Sequence, residues 1–179
     1  MKKKLFIVHV LLLLAVFSVS SARGENNNRG NSTNEYEYNG ALDIRIHPAE
    51  EKLYPPAELL LIDQKGRKTG SDPRTHKTYM EIPHSAYEEE SISDAVTGTP
   101  GPVTKIIYIK SPEIGEYILQ VIGKESHTYD LEIRGYDCEL NPSDDRFMNV
   151  KLEKNSVHKY IIQYSNEKGS KIKVTSREK

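Results

Sequence analysis

The chain has no tryptophan, only three phenylalanines and a single cysteine, Cys138, among 179 residues. One cysteine cannot close an internal bridge, so the disulfide-stapled secreted scaffolds are excluded. Neither sign of charge dominates, with 25 Lys and Arg against 26 Asp and Glu. The basic footprint that nucleic-acid binding requires is therefore missing. No Gly-x-Ser-x-Gly nucleophile elbow occurs, and no Gly-Lys-Ser/Thr phosphate loop. The histidines stand at 9, 47, 76, 84, 127 and 158, and none forms the i, i+4 pair of a helical zinc site. Helical periodicity is also absent after the first twenty-two residues.

Those first residues are the one long apolar stretch. Met1-Lys2-Lys3-Lys4 is a basic cap, Leu5 to Val19 is almost unbroken hydrocarbon, and Ser20-Ser21-Ala22 supplies small side chains. That order is the pattern of a cleaved secretory signal. The run falls short of the ~20 apolar residues that span a bilayer, and no cysteine near Arg23 offers a lipid attachment point. We expect residues 1–22 to be removed, leaving a secreted or periplasmic protein, bacterial in style, with no membrane span. The loss of three lysines and no acid would shift the formal charge from −1 to −4, a surface that favours solubility. Residues 23–39 read as a polar leader. Glu25 to Asn34 holds no apolar side chain, so it cannot offset the entropy of ordering. Asn31-Ser32-Thr33 matches a glycosylation sequon, a pattern that chance supplies readily in an Asn-rich tract, and we expect no glycan there.

From Gly40 the alternation has period two. Leu42, Ile44 and Ile46 interleave with Asp43, Arg45 and His47; Tyr129, Leu131 and Ile133 interleave with Asp130, Glu132 and Arg134. Both are half-buried strands. Leu59 to Ile62 is continuously apolar, as a strand covered on both faces would be. Further strands are expected at Tyr79–Ile82, Val103–Ile109, Tyr117–Ile122, Met148–Leu152, Val157–Tyr164 and Ile172–Val174. Residues 84–95 are expected to be irregular because of Pro83 and Ile92. Asn155-Ser156 and Glu167-Lys168-Gly169 look like hairpin turns joining the last three strands. Eight or nine short strands with local turns predict an all-β fold, an antiparallel, jelly-roll-like β-sandwich filling residues 40–179 as one domain. A domain of this size buries roughly two thirds of its unfolded surface and needs no staple.

Three acids in loops, Asp63, Asp72 and Asp94, together with Glu88-Glu89-Glu90, are hard oxygen donors of the kind calcium prefers. They match no dedicated calcium loop, and the plainer reading is solvated loop acids. Calcium is the one cofactor the chain suggests. Gly66, Lys68, Thr69 and Gly70 superficially resemble a phosphate loop, but in the wrong order. His84-Ser85 beside the glutamates contains the residue types of a hydrolase, although neighbours on one strand rarely face each other. Cys138, between Asp137 and Glu139, is a poor thiolate, and its expected fate is burial as a small hydrophobe. Among eleven tyrosines, Tyr117 and Tyr129 fall on apolar strand faces. Tyr36, Tyr38, Tyr54 and Tyr87 lie outside the strong strands, where either a partner could meet their amphipathic rings or loops could partly bury them.

Gly115-Glu116-Tyr117-Ile118-Leu119-Gln120-Val121-Ile122-Gly123, leading into Tyr129-Asp130-Leu131-Glu132-Ile133, resembles the closing hairpin of the bacterial pre-peptidase C-terminal domain. The resemblance covers about twenty residues and implies a jelly-roll-like secreted module, in that family a non-catalytic appendage that sometimes binds calcium or a polymer. The resulting expectation is an exported, non-enzymatic binding module for an envelope or extracellular protein or polysaccharide. The alternative is a small secreted hydrolase using His84 and nearby acids.

Overall fold

The computed structural model describes residues 39–49 and 52–177. The expected signal segment, the leader up to residue 38, the sequon at Asn31, and Tyr36 and Tyr38 lie outside these residues. The described residues form eleven strands and no helix: β1 (Ala41–Pro48), β2 (Ala57–Asp63), β3 (Lys68–Asp72), β4 (Lys77–Met80), β5 (Ser85–Ser93), β6 (Pro100–Lys110), β7 (Gly115–Gly123), β8 (His127–Tyr136), β9 (Pro142–Leu152), β10 (Val157–Tyr164) and β11 (Lys173–Arg177). They make two antiparallel sheets, ordered β5-β6-β1-β8-β9 and β11-β10-β7-β2-β3-β4. The fold is an all-β sandwich. Two long-range pairs, β1 with β8 and β2 with β7, place one nested partnership in each sheet and give it a jelly-roll-like winding.

Period-two patterning translates directly into the core. Leu42, Ile44 and Ile46 of β1, with Tyr129, Leu131 and Ile133 of β8 beside them in the same sheet, share one core with Leu59 and Leu61 of β2 and Leu119 and Val121 of β7 from the other sheet. Each such side chain taken out of water contributes ~1.5–3 kcal/mol. That gain holds the sheets face to face without covalent help.

Two strands escaped the sequence reading. β3 and β5 carry too few apolar residues to show an alternation, and residues 84–95, expected to be irregular, are mostly β5. Pairing creates both: β3 docks on β2 through Leu60↔Gly70 and Ile62↔Lys68, and β5 runs along β6 from Ser85↔Ile109 to Ser91↔Val103. Gly70 is required for the first contact. Its φ is +120°, and a Cβ there would sit 2.1 Å from the Leu59 carbonyl oxygen. The glycine that resembled part of a phosphate loop instead admits a neighbouring backbone.

Several connections differ from expectation. β7 and β8, the segments carrying the pre-peptidase resemblance, do not form a hairpin, because they belong to opposite sheets. The short Lys124–Ser126 link carries the chain across the sandwich. Asn155-Ser156 likewise crosses from β9 in one sheet to β10 in the other, whereas the Glu167–Gly169 region does join a true antiparallel pair, β10 and β11. Apolar faces on both sides of a link suit a crossing as well as a hairpin, so local pattern does not separate the two.

Candidate functional site

β5 and β6 change character along their length. Near Ser85 and Lys110 they are covered: Ile107 and Ile109 are fully buried and Tyr87 packs on the core. From Glu88 outward the hairpin leaves the body of the sandwich as an arm. Glu88 to Pro100 is exposed at every position, and the arm ends with Ile92 87% and Val96 92% accessible. Leu53 and Tyr54 (56% accessible) flank its base, where the Leu53 carbonyl accepts the Val103 amide at 2.7 Å.

The tip is ordered by Asp94. Its Oδ1 accepts the Val96 amide (3.0 Å), the Thr97 amide (2.6 Å) and the Thr97 hydroxyl (2.8 Å), while its backbone bonds Thr99 and Gly98. The Thr97 amide and hydroxyl and the Val96 amide hold this carboxyl below its ordinary range. Asp94 is thus a turn organiser, a self-bonded Asx arrangement.

The other two acids expected to meet it do similar work elsewhere. Asp63, at the end of β2, accepts the Lys65 and Arg67 amides at 2.9 Å and the Arg67 Nε at 2.6 Å. Gly66 closes that turn with φ +78°. Asp72 takes the Arg74 amide and a two-pronged guanidinium contact, and the Arg74 hydrogen bonds hold its carboxyl low. The β2–β3 register puts Asp63 and Asp72 at opposite ends of that pair, and Asp94 lies on the arm. Among the described residues no group of three or more acids, histidines and cysteines could hold a metal.

His84 and Ser85 are placed by backbone geometry. His84 has φ +57° and its carbonyl accepts the Lys110 amide. The Ser85 hydroxyl donates to the Ile82 carbonyl at 2.6 Å, so the Thr69 hydroxyl, also 2.6 Å away, must donate to it. Ser85 ties β5 to β3 across the two sheets. Its proton is held by a carbonyl and no base accepts it.

Beneath the arm lies a charged cluster that the sequence did not announce. Glu58 of β2 and Lys105 of β6, from opposite sheets, are 8% and 3% accessible. Lys105 Nζ meets Glu58 Oε1 at 2.5 Å and Glu89 at 3.3 Å. Lys124 reaches the same Glu58 oxygen at 2.9 Å, and the Tyr87 hydroxyl donates to Oε2 at 2.5 Å. Burial alone pushes the Glu58 carboxyl up, but hydrogen bonds from Lys105, Tyr87 and Lys124 outweigh it and leave it below the ordinary glutamate value. Burial and the Glu58 hydrogen bond push the Tyr87 hydroxyl far up. The cluster rivets the root of the arm to the second sheet. Tyr87, whose position left a partner contact and partial burial equally open, is one of its members.

The opposite end has its own hub. The Asp137 carboxylate accepts the Asn141 side chain and the Gly169, Asn141 and Glu139 amides, and these bonds hold it at about 2. Cys138 beside it is exposed, not buried as expected, because the turn from β8 to β9 points it outward. In the core, Tyr129 shares hydrogen bonds with His158 (2.9 Å) and Tyr160 (2.7 Å), so its polar tip is satisfied where its ring is buried.

The sequence held one usable signal for the arm. Ile92 and Val96 stand apart from any alternating partner, in a stretch otherwise of small and polar residues. In comparison with known proteins, the chain matches no family model, no curated sequence and no solved structure.

Proposed function

We propose that this protein is an exported, non-catalytic binding module that docks a partner protein through the tip of the β5–β6 arm. The observation that carries the reading is the near-complete exposure of Ile92, at the end of β5, and of Val96, on the turn ordered by Asp94. Exposed aliphatic groups cost solubility unless something covers them, and a preordered loop loses little entropy on binding. Aliphatic tips fit an apolar cleft in a protein. They offer little to a polysaccharide, whose hydroxyls need polar partners. The non-catalytic part of the reading is supported by Ser85, whose hydroxyl is committed to Ile82 and Thr69.

The test is site-specific photo-crosslinking in the producing cells, with the probe at residue 92 or 96 or, as a control, at Ser176 on the far edge. A discrete adduct from 92 and 96 that disappears in Val96→Ser supports docking at the tip. Equal or absent adducts at all three positions would sink it.

A further inference from the structure

β5 and β11 are the terminal strands of their sheets, and they lie at opposite lateral edges of the sandwich. β5 abuts β3 and β4, whereas β10 and β11 sit beside β9: the Phe147 and Tyr160 rings are 4.8 Å apart and the Ile172 amide donates to the Ser143 hydroxyl. Each edge turns alternate backbone N–H and C=O groups outward, ready for another strand. On β5 these can be assigned. The Lys110 amide bonds the His84 carbonyl, so in the β5–β6 register the even residues bond inward and Glu89 and Ser91 turn their backbone groups away from β6.

The two edge strands differ in the sign of their charges, with Glu89 and Glu90 also reaching Lys105 at 3.3 Å and Arg45 at 3.8 Å in their own chain. From Ser85 to Asp94 there is no cation, and Glu88, Glu89 and Glu90 follow one another. From Lys168 to Arg177 there is no acid; β11 reads Lys-Val-Thr-Ser-Arg, with Lys171 just before it. Lengths match as well: the outer part of β5, Glu88–Ser93, has about as many residues as β11. Pairing β5 with its own copy, antiparallel about Glu89, would set Glu88 against Glu90, and β11 with its copy would oppose cations. Like charges directly across a ladder destabilise it and opposite charges support it.

We propose that copies of this chain associate head to tail, the acidic edge β5 of one molecule adding to the basic edge β11 of the next. The contact is heterologous. Because the edges lie on opposite sides, it builds an open row and not a closed dimer. Main-chain hydrogen bonds hold the added strand and the charges choose its partner. This goes beyond tip docking: it uses the backbone edge of β5, not the aliphatic side chains of Ile92 and Val96.

The test is sedimentation velocity on the chain purified after export, at about 0.01 M and about 1 M salt, where the screening length falls from roughly 30 Å to 3 Å. Three variants are compared, each checked by far-UV circular dichroism: E88K/E90K, K173E/T175E and I92S/V96S. The native chain is expected to form species larger than monomer at low salt that grow with concentration and dissolve at high salt. E88K/E90K alone has two basic edges and K173E/T175E alone two acidic ones, so each stays monomeric. Their equimolar mixture reassociates, and I92S/V96S associates like the native chain. A native chain monomeric at every concentration at low salt, E88K/E90K associating unaided, or a mixture that stays monomeric overturns the proposal. Loss of association in I92S/V96S alone would assign the contact to the tip and overturn it equally.

Discussion

The two halves of the β5–β6 hairpin belong to the same pair of strands, in one register from Ser85 to Ser91 and shifted by a bulge before Ser93, yet they live under different physics. At the root, Ile107 and Ile109 are sealed in the core, and Lys105 is locked to Glu58 of the other sheet. At the tip, Ile92 and Val96 are almost bare, and the only order comes from cross-strand bonds and the Asp94 turn. Ladder hydrogen bonds are therefore not what distinguishes a structural strand from a presenting one. Coverage by the second sheet is. Stability concentrates where β6 has β2 and β5 has β3 beneath it, and the remainder is left for contact with something else.

The root should be the half that fails under substitution. Ile107→Ala, which empties a fully buried site between Ile44 and Tyr87, is expected to cost ~4 kcal/mol, read from urea unfolding. An effect near zero would erase the contrast between the halves.

Next comes the rivet. Lys105→Met leaves Glu58 buried with less compensation and should cost about 3 kcal/mol. Replacing Glu58 by Leu in the same chain should recover part of that loss, because no unpaired charge remains; no recovery would mean that packing by the lysine stem matters more than its charge.

Titration sharpens the same point. Glu58 has a folded value below its ordinary 4.5, so its unfolded form binds the proton more readily. Its contribution to stability is fully present above about pH 4.5 and is lost as pH falls through the lower folded value. Acid unfolding curves of the native protein and Lys105→Met should therefore converge as pH falls through the lowered folded value of Glu58, and parallel curves would remove Glu58 as the cause.

The tip should give the smallest effect. Ile92→Ser and Val96→Ser should each move stability by no more than ~0.5 kcal/mol, since neither buries its side chain. Melts with millimolar calcium and with chelator should coincide, because Asp63, Asp72 and Asp94 are each bonded within their own turn. A calcium-dependent rise abolished by Asp72→Ala would contradict that placement.

Legibility followed amphipathic contrast. β1 and β8 were readable because Leu42-Ile44-Ile46 and Tyr129-Leu131-Ile133 alternate with charges. β3 and β5 were not, since Lys68-Thr69-Gly70-Ser71-Asp72 and Glu88-Glu89-Glu90 have no apolar face to betray a strand. The rivet was invisible for another reason. Glu58 and Lys105 stand 47 positions apart, and nothing near either one marks it as buried. Cys138 was misjudged because its burial depends on which way one turn faces.

Residue order alone dictates that this chain forms strands, that they alternate between core and solvent, and where many turns fall, because period two and turn chemistry act over a few residues. Which sheet receives each strand, which hairpin half is covered, and which charges are buried together depend on partners tens of positions away. The links after β7 and β9 read locally like hairpins and cross the sandwich instead, because the ladder partners of β7 (β2 and β10) and of β8 (β1 and β9) lie in opposite sheets and β9 and β10 are divided in the same way.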